Sequence, residues 1–532
     1  MNSLSSTRPM KQQCSEAKDA CTPGWGENGI TLNDEDVAHR ERESPGRRRA
    51  RSATDEDAVA QTSCKRRRPH SPEGESGIYN EDYFRDLFSV EPDFRRLGSK
   101  YPEFGVMLKD DVHLDFTDPV AVMQLTKTLL KEDFGLHICL RPDRLCPPVP
   151  NRHNYILWLK DLLDSTSSSY SQHYEPGRRV TGLDVGTGAS LIYPLLGCVQ
   201  RPAWRFIATD IDAESIQSAR ENARLNNLES RIRIVHRTVS DTLIPELQHE
   251  AIDFVMVNPP FYASDTELLE LAAQKSRPPR SACTGAPVEM VCEGGEVQFV
   301  ERLINESLTV GDRIQWYTAM LGKQSSVEVL LDVLKRNGIN NFAVTTFIQG
   351  SKTRRWALGW SFLTRRPSPS VSRGCGSFLA KTMVPPLTTT TIYEASAQDH
   401  TPSGQSLQRI LCDTMDSLDL RSWAWDGQRF RGVGFSDGNV WSRAHRRRRA
   451  REGVLASQLE NKTSLTGVTT CAFGFSVSVQ TSDAPESGSS SSTTTATTSV
   501  TLCWLQGDDE SLFETFSGML RRRLREDTKR PV

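Results

Sequence analysis

The sequence predicts an α/β protein built on a doubly wound parallel sheet, preceded by a small helical module and followed by a smaller α+β unit. Three observations predict it. From Val180 to Phe362 short apolar runs alternate with amphipathic helical stretches, the pattern of a parallel sheet covered by helices on both faces. The first of those runs ends in a glycine turn, Asp184-Val185-Gly186-Thr187-Gly188-Ala189, which leads into a helix. The fourth runs straight into Asn258-Pro259-Pro260-Phe261.

The 532 residues are 37 % apolar, with a mean hydropathy of -0.48. A compact globular chain is roughly 45–50 % apolar, so part of the length is expected outside any core. Residues 1–77 are Ser, Glu, Arg, Gly and Pro with few large apolar side chains, and read as a disordered basic tail. Two clusters in it, Arg47-Arg48-Arg49-Ala50-Arg51 and Lys65-Arg66-Arg67-Arg68, read either as solvated charge or as a two-part nuclear localisation signal that also suits RNA phosphates. Residues 78–150 carry apolar positions at helical spacing in Tyr79–Phe88, Asp93–Leu97 and Pro119–Leu130. A Pro-rich link, Cys146 to Pro150, precedes a helix expected from Asn154 to Leu163.

Within 151–364 the expected strands are Val180–Val185, Arg205–Thr209, Arg231–Val235, Ile252–Val257, Ile314–Met320, and a closing pair, Phe342–Ile348 with Trp356–Phe362. Helices at Ser190–Leu196, Ala213–Asn226, Glu296–Leu308 and Val327–Asn337 fall between them. Residues 365–386, rich in Ser, Pro and Arg, read as a linker. In 387–532, helices Ser406–Asp416 and Asp509–Arg525 with strands Val468–Val479 and Ser499–Leu505 read as an auxiliary α+β module. Its low-complexity run Ser487–Thr498 reads as a floppy loop, and the basic stretch Arg443–Arg451 as an irregular connection.

Lys and Arg number 65 against 67 Asp and Glu, a formal charge of -2, so no polycation argument applies to the whole chain. Twelve Cys stand singly with no CxxC pair, which argues against a structural zinc site or a disulfide framework and for reduced thiols. No metal is expected. The first residues lack the apolar run of a signal peptide and no 18-residue apolar stretch occurs, so the reading is a soluble intracellular protein.

Glycines in the turn after the first strand let the backbone approach a ligand at the carboxyl edge of the sheet. The strand that follows ends in Asp210, placed to accept hydrogen bonds from ribose hydroxyls. The third glycine of a dinucleotide fingerprint is missing, since Ser190 and Leu191 follow Ala189. This shorter D-x-G-x-G form resembles the S-adenosylmethionine site of class I methyltransferases, whose ligand has no pyrophosphate. That gives the expected fold class: a Rossmann-like class I S-adenosylmethionine-dependent methyltransferase.

In Asn258-Pro259-Pro260-Phe261 the prolines fix the backbone and leave the Asn amide and a neighbouring carbonyl projecting from the strand end. Two acceptors suit an NH2 group on a planar sp2 system, because each N–H needs one partner. Such a nitrogen is a poor nucleophile until both N–H groups are bound and its lone pair is freed for attack on a methyl sulfonium. Phe261 offers a face for a flipped base.

Several further stretches carry a resemblance in the same order: Leu129-Leu130-Lys131-Glu132-Asp133-Phe134-Gly135-Leu136, Asn154-Tyr155-Ile156, Glu293-Gly294-Gly295-Glu296, Met320-Leu321-Gly322-Lys323 and Arg355-Trp356-Ala357-Leu358. With the two motifs, the span from Phe84 to Phe362 resembles the methyltransferase-like protein 16 family, eukaryotic relatives of bacterial large-subunit rRNA adenine-N6 methyltransferase F. The resemblance implies an RNA adenine-N6 methyltransferase that uses S-adenosyl-L-methionine and acts on U6 small nuclear RNA, with messenger RNA hairpins as further candidates. It implies that Arg152, Asp184, Gly186, Gly188, Asp210, Thr242 and Asn258 hold the cofactor, and that Asn258, Pro259, Pro260 and Phe261 form the catalytic loop. It places the RNA against Phe261, Tyr262, Lys275, Arg277, Arg280 and Lys323, and makes 78–150 an RNA-binding module. Asp210 stands where the animal proteins carry Glu, and Tyr262 where they carry Phe.

Three readings stay open at the level of sequence. The first is methylation of RNA adenine N6 in the nucleus, extending to the cytoplasm. The second keeps the fold and moves the acceptor to rRNA guanine N2 or a protein glutamine, since the same tetrapeptide serves those planar NH2 groups. The third is a non-catalytic RNA-binding regulator. The helical module before the sheet, the basic insertion Ala263–Cys292 and the two N-terminal basic clusters favour RNA, and Lys352, Arg354 and Arg355 add positive charge near the same edge. The C-terminal pattern Phe473-Gly474-Phe475-Ser476-Val477 resembles the auxiliary module of the animal proteins, and reads equally as a plain interaction module.

Overall fold

Eight strands form the sheet that carries the site: β1 (Val180–Val185), β2 (Trp204–Asp210), β3 (Ile232–His236), β4 (Phe254–Val257), β5 (Trp316–Leu321), β6 (Asn341–Gln349), β7 (Thr353–Ser361) and β8 (Arg373–Gly374). Their order is β8-β6-β7-β5-β4-β1-β2-β3. All run parallel except β7, which enters antiparallel between β5 and β6. This is the class I methyltransferase arrangement. The computed structural model describes residues 81–246, 251–264, 266–267, 285–349, 353–376, 378–396, 403–456, 471–484 and 495–527. The basic tail with both arginine clusters, and the arm residues Lys275, Arg277 and Arg280, lie outside the described residues.

The chain order reverses between β1 and β4, which are neighbours, and an open parallel sheet binds ligands at such a switch point. Register makes the placement sharper. Val185 pairs with Thr209 on one side and Val257 on the other, so the next residues, Gly186, Asp210 and Asn258, emerge side by side at the carboxyl edge.

Helices α1 (Pro119–Phe134), α2 (Val149–Ser165), α3 (Ile192–Gln200) and α4 (Ala213–Leu225) share a core with Trp204, Phe206, Phe254 and Trp316 from the sheet. Helices α5 (Gly295–Val310) and α6 (Gln324–Arg336) pack Val300, Leu303, Val327 and Leu330 on the other core, against Leu183, Ile207 and Val255. Strands buried on both faces explain why their sequences are continuous apolar runs. The N-terminal helices join the first core through Phe84, Leu97 and Phe104. Glu81 reaches 2.9 Å from the fully buried Lys160 ammonium on α2.

Four sequence expectations need correction. Helix α2 starts at Val149, five residues before Asn154, because Pro150 falls in the first turn, where its missing N–H costs nothing; this puts Arg152 inside the helix. The stretch read as a linker, 365–386, holds a one-turn helix (Pro369–Ser372) and edge strand β8, with Val371, Cys375 and Leu379 buried. Three isolated apolar residues among Ser, Pro and Arg give no periodic signal.

The C-terminal unit is a five-stranded antiparallel sheet of β9 (Thr389–Ser396), β10 (Ser422–Asp426), β11 (Arg431–Ser436), β12 (Phe473–Ala484) and β13 (Thr495–Gln506), ordered β9-β13-β12-β11-β10. Strands β9 to β11 were not expected, and β13 begins at Thr495, inside the run read as a loop; β-branched Thr suits a ladder. Helices α7 (Gly404–Asp416), α8 (Arg443–Ala456) and α9 (Glu510–Asp527) complete the unit. Helix α8 covers the arginine run read as irregular: Ser442 Oγ accepts from the His445 N–H, and Arg and Ala are strong helix formers. Arg366 fastens this unit to the large sheet. Its Nε donates to the Gly507 carbonyl (2.8 Å), its Nη1 to the Asn340 carbonyl (2.9 Å), and its guanidinium lies 4.6 Å from the Trp504 ring. Asn340 precedes β6, so the attachment lies at the end of the sheet opposite the β1–β4 carboxyl edge.

Candidate active site

The turn after β1 takes its shape from glycine. Gly186 and Gly188 hold φ of +73° and +63°, where a Cβ is strained. The Gly186 and Thr187 N–H groups both donate to the Thr209 carbonyl at 2.9 Å. The Gly188 N–H donates to Asp210 Oδ2 at 2.8 Å and the Asp212 N–H to Oδ1 at 2.9 Å, so Asp210 is oriented by the backbone around it. Asp184 lies beneath the turn at 1 % exposure. Thr187 Oγ1 donates to its Oδ2 at 2.7 Å, while its buried Oδ1 has no hydrogen-bond partner among the described residues. Burial pushes the Asp184 pKa up to about 7 and raises that of Asp210 as well.

Above the turn is a cavity of about 1000 Å³. Arg152, Gly186, Gly188, Asp210, Thr242, Asn258, Pro259 and Pro260 all line it, so most of the residues expected from sequence meet there. Arg152, buried, donates to Tyr193 Oη at 3.0 Å and Met320 Sδ at 3.3 Å; among the described residues no carboxylate pairs with it. Thr242 Oγ1 donates to the Ile244 carbonyl, and Arg237 Nη2 donates to the Thr242 carbonyl at 2.9 Å. Ile211, 44 % exposed, adds apolar wall. A guanidinium, the half-buried Asp210 carboxylate on the lining, the enclosed Asp184 carboxylate beneath the turn and an apolar wall fit the carboxylate, ammonium, ribose diol and purine of S-adenosylmethionine. Among the described residues no cluster of His, Cys, Asp and Glu could hold a metal, and no helix is long and apolar enough to cross a membrane.

At the end of β4, Asn258 Oδ1 is buried and has no hydrogen-bond partner among the described residues. The Phe261 ring has the Arg355 guanidinium 5.3 Å from its centroid, and a Cβ on Gly322 would lie 3.0 Å from the ring. The Tyr262 N–H donates to the Met290 carbonyl (3.1 Å) and the Cys292 N–H to the Tyr262 carbonyl (3.0 Å), which ties this loop to the segment before α5. Lys323 Nζ sits 2.9 Å from Glu267, whose other oxygen accepts from the Ala263 N–H at 2.7 Å. The lysine expected to touch RNA therefore pairs with an acid at the start of the insertion that follows the catalytic loop.

Sequence reasoning missed several contributors. Glu296, 3 % exposed at the start of α5, accepts from the Gly322 N–H (2.6 Å) and the Lys323 N–H (3.1 Å) and fixes their loop. The carboxylate was visible in Glu293-Gly294-Gly295-Glu296, but its partners lie far along the chain. Tyr193, Ile211 and Glu267 carry no motif at all. Arg355 reads from sequence as positive charge for RNA, and its place beside the Phe261 ring carries no sequence signal.

The family described as RNA methyltransferase matches residues 80–364, just over half of the chain. The RNA N(6)-adenosine-methyltransferase mettl16 of Danio rerio is 44 % identical over 287 residues, covering 52 % of this chain and 58 % of that protein. The U6 small nuclear RNA (adenine-(43)-N(6))-methyltransferase of Schizosaccharomyces pombe is 42 % identical over 269 residues, covering 50 % of this chain and 67 % of that protein. A solved structure of the human Mettl16 catalytic domain with MAT2A 3'UTR hairpin 1 is 41 % identical with a TM-score of 0.47, covering 52 % of this chain and 92 % of that one. The chain spans about half the length of the curated animal relatives it matches, 50–58 % for the five vertebrate proteins. The matched span holds the N-terminal helices, the glycine turn and the Asn-Pro-Pro-Phe loop, and this chain belongs to the RNA methyltransferase family.

Proposed function

We propose that this chain transfers a methyl group from S-adenosylmethionine to N6 of an adenine in structured RNA, with U6 small nuclear RNA the first substrate and messenger RNA hairpins the second. The observation that carries it is the buried, unpartnered Oδ1 of Asn258 at the end of β4, one register position from the glycine turn. An acceptor withdrawn from water without a partner costs about 1–3 kcal/mol, and an exocyclic NH2 satisfies it. Asn258 Oδ1 and the Pro259 carbonyl take the two N–H groups of the base, and Phe261, backed by Arg355, stacks on its ring.

Arg152 holds the cofactor carboxylate, Asp210 the ribose diol, and Asp184 the positive charge near the turn. Gly186, Gly188 and Thr242 supply backbone around it. The cofactor, when bound, supplies a methyl group on a sulfonium. Tyr262, Lys275, Arg277 and Arg280 are assigned to the RNA backbone, and the two arginine clusters of residues 1–77 to nuclear import.

The test incubates the purified chain with tritiated S-adenosylmethionine and total RNA, with a matched protein extract in parallel, and digests the RNA to nucleosides. Label in N6-methyladenosine from a U6-sized RNA is expected. Label in N2-methylguanosine, or only in protein, would move the acceptor; RNA bound without label would make the chain a regulator.

A further inference from the structure

Glu289 belongs to no motif and lines the cofactor cavity. It sits in a one-turn helix, Pro287–Met290, and its Oε2 accepts from the Ala286 N–H at 2.9 Å, which caps that turn. The same oxygen accepts from the Leu145 N–H at 2.8 Å, 144 residues away in sequence. Capping a single turn does not require that second bond.

Leu145 and Pro147 also line the cavity, in the segment that leads to Arg152. One residue earlier, Arg144 pairs with Asp212 at 3.1 Å and Glu214 at 3.0 Å, at the start of α4 just past Asp210. The strap 144–147 is thus held at Arg144 to the β2 side of the cavity and at Leu145 to Glu289. The Glu289 end is anchored to the Asn-Pro-Pro-Phe loop by the Tyr262–Met290 and Cys292–Tyr262 hydrogen bonds. Its other oxygen, Oε1, lies beside the glycine turn, 3.6 Å from where a Cβ on Gly188 would lie. One carboxylate bonds the strap to the segment tied to the base-holding loop, and lies beside the cofactor turn.

We propose that Glu289 is a positioning residue for cofactor binding: it latches the 144–147 strap to the catalytic loop and so sets the wall of the cofactor cavity and the approach to Arg152. This rests on the assignment of the cavity to S-adenosylmethionine. Holding the wall in place before the ligand arrives lowers the ordering cost of binding.

Both N–H groups go to one oxygen, which an amide oxygen also provides, so the latch needs an acceptor at that position and not a charge. The experiment is calorimetric titration of S-adenosylmethionine into the full chain and its Glu289→Ala and Glu289→Gln variants. Glu289→Ala is expected to weaken affinity about tenfold with thermal unfolding little changed, and Glu289→Gln to stay within about threefold of the parent. Unchanged affinity in Glu289→Ala would overturn the proposal. Glu289→Gln as weak as Glu289→Ala would also overturn it, since that makes the charge the contact. Binding without RNA methylation in the parent chain refutes the acceptor assignment and leaves this comparison intact; no binding in the parent refutes the cofactor assignment and the latch with it.

Discussion

The surroundings of Asp184 fix the direction in which pH acts on cofactor affinity. Its carboxyl is fully enclosed, takes one hydrogen bond from Thr187 and leaves Oδ1 without a partner, and burial moves its pKa from 3.8 up to about 7. An acid whose pKa is raised on folding is disfavoured as the carboxylate. The cofactor-free chain therefore loses stability from this group as pH rises through the interval from about 4 to about 7, by about 4 kcal/mol at 1.4 kcal/mol per tenfold. A ligand carrying sulfonium and ammonium charges in the adjoining cavity favours the ionised carboxyl and draws its pKa back down. Between pH 5.5 and 7, binding then releases up to one proton, and affinity rises with pH by up to about tenfold per pH unit before levelling off. Calorimetry at pH 6 in two buffers of different ionisation enthalpy measures that proton directly. Asp184→Asn keeps an acceptor for Thr187 and removes the titration, so its affinity should be flat with pH. The reasoning fails if the parent binds equally at pH 5.5 and 7 without buffer-dependent heat, or if Asp184→Asn keeps the slope.

Other perturbations separate the remaining parts of the site. Asn258→Ala removes the buried acceptor and should lower kcat about 10²–10³-fold, in the range of losing one preorganised transition-state partner; filter binding should show RNA affinity within twofold of the parent, and an equal loss of binding would contradict the assigned role. Gly322→Ala sets a Cβ 3.0 Å from Phe261 Cδ1 and 3.3 Å from Glu296 Oε2, so the ring must tilt; single-turnover methylation should slow several-fold while cofactor affinity measured by titration stays the same. A chain ended at Thr364 loses β8, the Trp158–Val371 hydrogen bond of 2.9 Å and the burial of Val371, Cys375 and Leu379. It should be less stable by about 5 kcal/mol than one ended at Pro386, as read by denaturant midpoints.

The central sheet was legible because it is buried on both faces. β1 is read to the residue, β2 to β6 within two at each end and β7 within three, since apolar runs between turn signals leave little choice of boundary. The candidate site was legible for a related reason. Residues that line a sheet's carboxyl edge follow strand ends, and strand ends are what the apolar pattern marks. Gly186, Asp210 and Asn258 are each the residue that follows a register-paired position or closes its strand, so finding the strands located the site. Strands β8 to β11 escaped because β8 is two residues long, β9 opens on three threonines, and the alternating pairs Trp423/Trp425 of β10 and Val433/Phe435 of β11 are single pairs in short stretches broken by Gly, Arg and Asp. Val371 and Leu379 look like stray apolar residues until Trp158 and β6 are placed beside them.

What sequence could not supply was pairing between distant segments. Glu296 with Gly322, Lys323 with Glu267, and Glu289 with Leu145 are 26, 56 and 144 residues apart, and no local pattern announces any of them. They share a physical logic: each takes up N–H or ammonium groups of a loop that would otherwise be held only by its ends. The glycine turn and the Asn-Pro-Pro-Phe loop supply the chemical groups, whereas these three carboxylates hold the loops that carry them at fixed distance. The motif residues therefore determine which reaction the cavity can host. The unannounced carboxylates govern how much of the ordering cost is met before any ligand binds, which is why their substitution should show in affinity, and substitution of Asn258 in rate.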